Sequence, residues 1–279
     1  MPPTLLVLAA VASVQFGAAL AKTLFDELGS GGTVFLRVLF AAIVLALIWR
    51  PRLAGHDRRE LGLAVLFGLV LGGMNLAFYA SLERIPLGIA VTFEFVGPLG
   101  VAVFGSRRPR DLLWVGLAAA GILLLSNFGG TDLDTLGVGL ALLAGACWAA
   151  YILVAARVGR AFPGGCGLSL AMIVAAVPLA PVGIADAGGE LLVPWVLAAG
   201  ACVGLLSSAI PYALELEALR RLPVGVFGVL MSLEPAVAAL AGFVVLGEEL
   251  AARELAAIVL VIAASAGAAY GATVAPRDA

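Results

Sequence analysis

Two carboxylates stand where carboxylates are costly. Glu94 lies mid-run in PLGIAVTFEFVGPL (residues 86–99), and Glu234 lies mid-run in FGVLMSLEPAVAALAG (residues 227–242). A charge at the centre of a bilayer costs at least about 2.5 kcal/mol, so an acid there marks either a working position or a buried structural acid. Each acid has a proline close behind it. Pro98 offers no N–H to the carbonyl of Glu94 four residues earlier, and Pro235 offers none to that of Met231. Pro211, in IPYALELEALRRLP (residues 210–223), is a third candidate helix break. A freed carbonyl in hydrocarbon needs a partner, so such breaks are expected to face protein or a wet cavity.

The matching cations are Lys22 and Arg37, near the outer ends of the first two apolar runs. Arg37 sits about two turns into its run and is expected to pair with one of the acids. Lys22 either snorkels to the surface or joins the site. Glu215 lies near the inner end of its run, where a rim salt bridge with Arg220 or Arg221 is the plainer expectation. Gln15, Asn75, Tyr79 and Tyr212, with Thr92, Ser207 and Ser208, offer neutral polar contacts. Such groups serve either helix–helix hydrogen bonds or a ligand.

Catalysis and cofactor chemistry lack their parts. The single histidine, His56, falls in a basic loop, so a zinc site or Ser-His dyad has no central residue. No GxxxxGK phosphate cradle occurs, and no helix carries regularly spaced arginines, which sets aside direct ATP drive and voltage sensing. Cys147, Cys166 and Cys202 show neither metal-ligand spacing nor a CxxC pair. The chain is therefore expected to be no enzyme and to need no metal or other cofactor.

The elements that position these groups follow from composition. Of 279 residues 63% are hydrophobic and 12% charged, and the mean hydropathy is +1.13. Soluble domains run about 25% charged. With a net charge of −2 there is no basic field for nucleic acid either. Ten apolar runs long enough to span a bilayer can be read, at 5–24, 31–49, 61–81, 86–104, 112–127, 136–155, 167–185, 192–214, 224–246 and 253–274. The spacings Gly68/Gly72 and Gly267/Gly271 favour close helix packing. The fold class expected is an all-α integral membrane protein.

Loop charges set the orientation. Arg50, Arg52, Arg58, Arg59, Arg107, Arg108, Arg110, Arg157, Arg160, Arg220, Arg221 and Arg277 fall on alternate loops and the tail, whereas the intervening loops hold only Arg84 and Arg253 among many acids. The positive-inside rule then predicts ten helices with both termini cytoplasmic.

The chain also repeats weakly at an offset of 137. LERIPLG (82–88) aligns with LRRLPVG (219–225), and Gly97-Pro98 aligns with Glu234-Pro235. Two halves, 5–127 and 136–274, would each hold five helices. An odd number forces opposite orientations, the inverted-repeat plan of many secondary transporters with a site at the midplane.

These features together resemble the drug/metabolite transporter superfamily, EamA branch. QFGAALAKTLF (15–25), LGGMN (71–75), PLGIAVTFEFVGPL (86–99), SRRP (106–109), GACWAAYIL (145–153), IPYALELEALRRLP (210–223) and MSLEPAVAALAG with LGE (231–248) are similar, in collinear order, to the bacterial threonine and homoserine exporters of that branch. The run Glu215-Leu-Glu217 with Arg220-Arg221 departs from that pattern and points to no particular substrate. The resemblance implies export of small neutral amino acids, with the amino acid and protons as partners in the bilayer. The residues alone also admit a carrier for another metabolite or drug, or a membrane scaffold or sensor, and leave the oligomeric state open.

Overall fold

The computed structural model describes residues 2–51, 55–104, 111–125, 133–219, 221, 222, 227 and 230–273. Among them every regular element is helical. The elements are α1 (Pro3–Lys22), α2 (Phe25–Trp49), α3 (Arg58–Leu82), α4 (Leu87–Glu94), α5 (Val96–Phe104), α6 (Asp111–Leu125), α7 (Thr135–Ala161), α8 (Cys166–Ala187), α9 (Pro194–Gly204), α10 (Ile210–Leu219), α11 (Glu234–Ala241) and α12 (Ala252–Thr273). A π-helical turn, Leu205–Ala209, joins α9 to α10, and a second, Gly242–Leu246, follows α11. Six helices among the described residues are long and apolar enough to cross a membrane, and Leu87–Val101 and Glu234–Leu246 are shorter apolar helices. Leu47, Leu69, Leu143, Val177, Leu240 and Val259 turn outward, as side chains facing lipid do. The loop cations Arg52, Arg107, Arg108, Arg110, Arg220 and Arg277, and the repeat positions Pro223 and Gly225, lie outside the described residues.

Polar side chains set the helix starts. Asp57 accepts from the Glu60 amide (2.8 Å) while Glu60 accepts from that of Asp57 (3.1 Å), a reciprocal cap for α3. Asp134 caps α7 through the Gly137 amide (2.6 Å). The sequence predicts one span over 86–104, but the helix is interrupted at Phe95, between α4 and α5. The cause is Pro98, which withholds the N–H that the Glu94 carbonyl needs. A matching turn at Ser232–Leu233 precedes α11, just before Pro235. Phe95 and Ser232 are 137 residues apart, the offset that aligns the two prolines.

The interior is built on close crossings. α2 packs along α8, α3 packs on α7 and α8, and α1 packs on α10 and the first π turn. α4 meets α11, and α6 pairs with α12 at the margin. Glycines allow these approaches. A Cβ on Gly68 would lie 2.5 Å from the Ala171 carbonyl, and one on Gly145 would lie 2.5 Å from that of Glu94. Gly97 in turn abuts the Gly145 backbone. The carbonyl that Pro98 frees is therefore covered by the bare face of α7, with no room for a side chain.

The connections gather at two ends. At one, Lys22 pairs with Glu248, Ser30 N–H donates to Glu83, Gly31 N–H donates to Asp186, and Arg84 pairs with Asp134. At the other, the His56 ring lies 4.3 Å from that of Phe162, and Cys166 donates to the Trp49 carbonyl. α1 finishes and α7 starts at the Lys22 end, so these two helices run in opposite directions.

Gly145→Ala should destabilise the protein by about 1–3 kcal/mol through overpacking against α4–α5. Gly139→Ala, on the same helix where a Cβ meets nothing, should be neutral or stabilise by up to about 1 kcal/mol. Thermal unfolding in detergent measures the contrast; equal shifts for both would contradict this account of the crossing.

Candidate functional site

Arg37 is the anchored charge of the interior, only 4% exposed. Its Nε donates to Ser208 Oγ (3.0 Å) and its Nη2 to the Ser207 carbonyl (2.8 Å). The guanidinium also sits 5.1 Å from the centre of the Tyr79 ring, within cation–π range. The sequence explains why a carbonyl is free there. Pro211 carries no N–H, so it can serve neither the Ser207 carbonyl four residues back nor the Leu206 carbonyl five back. Arg37 takes the first, and the Ser13 hydroxyl takes the second at 2.7 Å. The expected pairing of Arg37 with an acid is corrected here: among the described residues no carboxylate lies within 4.0 Å of it. The Ser207 carbonyl and the Ser208 hydroxyl of the π turn satisfy the guanidinium instead.

One acid lies near this anchor, and two more lie beyond it. Glu94 (8% exposed) ends α4 and interacts electrostatically with Arg37. Glu234 (5% exposed) opens α11 and lies in the fields of Glu215 and Glu94. Glu215, half-buried on α10, faces the interior electrostatically, toward Tyr151, Tyr212 and Glu234. Its expected bridge to Arg221 is also corrected, because Arg221 pairs with Glu217 one turn from its own position; Arg220 lies outside the described residues. Interrupted helices thus deliver all three parts: Glu94 beside Pro98, Glu234 beside Pro235, and the Arg37 anchor beside Pro211.

Neutral groups complete the surroundings. Tyr212 lies within electrostatic range of Arg37, Glu94, Glu215 and Tyr79. Tyr79 is fully buried, and among the described residues its hydroxyl and the side-chain carbonyl of buried Gln15 find no hydrogen-bond partner. Unmet buried polar atoms are costly, which suits a ligand-bearing wall. Asn75, by contrast, spends its amide on the Leu71 carbonyl of its own helix (2.8 Å). Lys22 stands apart at the bundle end, paired with Glu248 at 2.7 Å. The sequence reading missed Tyr151, Cys147 and the role of Glu248. Cys147 interacts with Glu94, and Tyr151 lies one turn further along the same face of α7. That spacing within GACWAAYIL was the available signal. Among the described residues no group of His, Cys, Asp or Glu is arranged to hold a metal ion.

Comparison with known proteins decides the family. The model of the EamA-like transporter family matches residues 1–127 and 135–270. The chain belongs to the EamA-like transporter family. Within it, the chain is 45% identical to the threonine/homoserine exporter RhtA of Salmonella typhimurium (strain LT2) over 270 residues, covering 95% of this chain and 90% of that protein. The threonine/homoserine exporter RhtA of Escherichia coli (strain K12) is also 45% identical, over 271 residues and the same shares. The uncharacterized transporter YwfM of Bacillus subtilis (strain 168) is 30% identical over 147 residues, 52% of this chain and 50% of that one. A solved crystal structure with 18% identity shares the fold, with a TM-score of 0.61 over 95% of this chain and 96% of its own.

If Arg37 is anchored by the π turn, Arg37→Lys should lower stability by about 1.5–3 kcal/mol, since an ammonium cannot span both acceptors as the guanidinium fork does. Ser208→Ala removes one hydroxyl and should cost about 1 kcal/mol. Unfolding midpoints in detergent give the order; an Arg37→Lys variant as stable as the native chain would contradict the anchor.

Proposed function

We propose that the protein exports small neutral amino acids, threonine and homoserine among them, across the cell membrane in exchange for protons. One observation carries the reading: a fixed guanidinium and buried carboxylates stand in one apolar interior, the two charges a zwitterion needs. The names of the 45%-identical relatives supply the substrate class. Arg37, with Tyr79 and Tyr212, serves the substrate carboxylate. Glu94 or Glu234 holds the ammonium. With substrate gone, the same carboxylate accepts a proton, so proton and ammonium exclude each other and their movements are linked.

In this reading ten helices form two inverted five-helix repeats, over 5–127 and 136–274, with both termini cytoplasmic and the Lys22 end outside. The opposite directions of α1 and α7 support the inversion. So does the packing. Exchanging the halves turns the α3–α7 contact into the contact of α10 with α1. It turns α4–α7 into α11–α1, and it maps α2–α8, α4–α11 and α6–α12 onto themselves. The interruptions 137 residues apart fit the same exchange.

Labelled threonine uptake into inside-out vesicles, with and without a pH gradient, tests the function. The native chain should accumulate threonine when the gradient is imposed. Glu94→Gln or Glu234→Gln, which keep volume and remove charge, should insert normally. At least one should lose pH-driven transport by about tenfold or more while any residual exchange ignores pH. Glu94 is the stronger expectation, because its own carbonyl is the one freed by Pro98 and Arg37 is its electrostatic neighbour. If both variants keep the native rate and pH response, the acids are structural.

A further inference from the structure

At the Lys22 end lies a cavity of about 300 Å³ lined by Lys22, Phe25, Asp26 and Glu83. Three features set it apart from an ordinary surface dent. First, its lysine is held in place. Two of the three ammonium donors of Lys22 go to Glu248 Oε1 (2.7 Å) and the Ile85 carbonyl (3.3 Å), and Glu248 is itself fixed by the Leu87 amide at 2.9 Å. One donor is left. Second, the opposing charge is unspent. Asp26 makes no hydrogen bond or ion pair among the described residues, and Glu83 uses one carboxylate oxygen on the Ser30 amide. Third, the cavity adjoins the central site. The Phe25 ring lies 5.8 Å from that of Tyr79, and Tyr79 in turn carries Arg37 on its face. Two rings, Phe25 and then Tyr79, lead from the cavity lining to Arg37.

We propose that this cavity is an outer station of the transport path, where a zwitterionic amino acid pauses between the central site and the exterior. The substrate carboxylate takes the remaining donor of Lys22, and its ammonium faces Asp26 and Glu83. Two carboxylates against one shared ammonium make the cavity select for a positive group. An N-acylated amino acid, which keeps its carboxylate and loses its ammonium, is excluded. The inference rests on the exporter reading and adds a second, externally accessible binding place to it.

The test uses the full chain in proteoliposomes loaded with labelled threonine, with unlabelled threonine added on the face at the Lys22 end. External threonine should change the rate of labelled efflux in a saturable way, and N-acetylthreonine should not. Asp26→Asn should raise the external concentration needed for half the effect about three- to fivefold, the range of an exposed ion pair. The internal KM should stay at its native value. An external constant that does not move, one that moves together with the internal KM, or equal potency of N-acetylthreonine overturns the outer station. If the native chain moves no threonine at all, the exporter reading fails first. Intact efflux whose response to external threonine is unchanged by Asp26→Asn defeats the outer station alone.

Discussion

The need to satisfy a guanidinium inside an apolar bundle organises the interior. Arg37 has five N–H donors and almost no access to water, so acceptors must be brought to it. A regular helix offers none, because its carbonyls are committed to its own ladder. The chain solves this with Pro211, which leaves the Leu206 and Ser207 carbonyls without N–H partners. The π turn Leu205–Ala209 presents them, and Arg37 and Ser13 take one each. Because the charge is held by neutral acceptors, its field is not cancelled by a carboxylate in contact. It remains available to Glu94 and to whatever enters beside it.

The same device recurs with a different outcome at Glu94. Pro98 frees the Glu94 carbonyl, but among the described residues no side-chain donor comes to meet it. Gly97 and Gly145 instead bring two backbones together and shield that carbonyl with the face of α7. The close crossing fixes the height at which the Glu94 side chain leaves its helix. The breaks at Pro98, Pro211 and Pro235 therefore trade regular helix for position, and the surrounding glycines make that exchange tolerable in hydrocarbon.

Much of this was legible in the residues. The apolar runs match the helices to within a few residues, as in α1, α3 and α8, and the three prolines mark the interruptions. The choice of partners was not legible. Arg37 was expected to seek an acid, since charge complementarity is the simplest rule, but orphaned carbonyls cannot be seen in a sequence until the helix phase is known. Glu215 was assigned to Arg220 or Arg221 by proximity along the chain. Arg221 instead pairs with Glu217, four residues away, and leaves Glu215 to the interior. Lys22 and Glu248 are 226 residues apart, and no local pattern joins them. Tyr151 looked like any aromatic residue on an apolar helix. Local rules reached the elements; the site depends on contacts between distant segments.

The central claim is that one buried carboxylate serves proton and substrate ammonium in turn. Its most direct test counts protons. Purified protein in proteoliposomes carrying an internal pH dye, with the membrane potential clamped, is allowed to release threonine from the lumen. The account predicts that the lumen acidifies in fixed proportion to the threonine that leaves, and that it does so only while threonine moves. Threonine leaving at an undiminished rate with no change in luminal pH would contradict it.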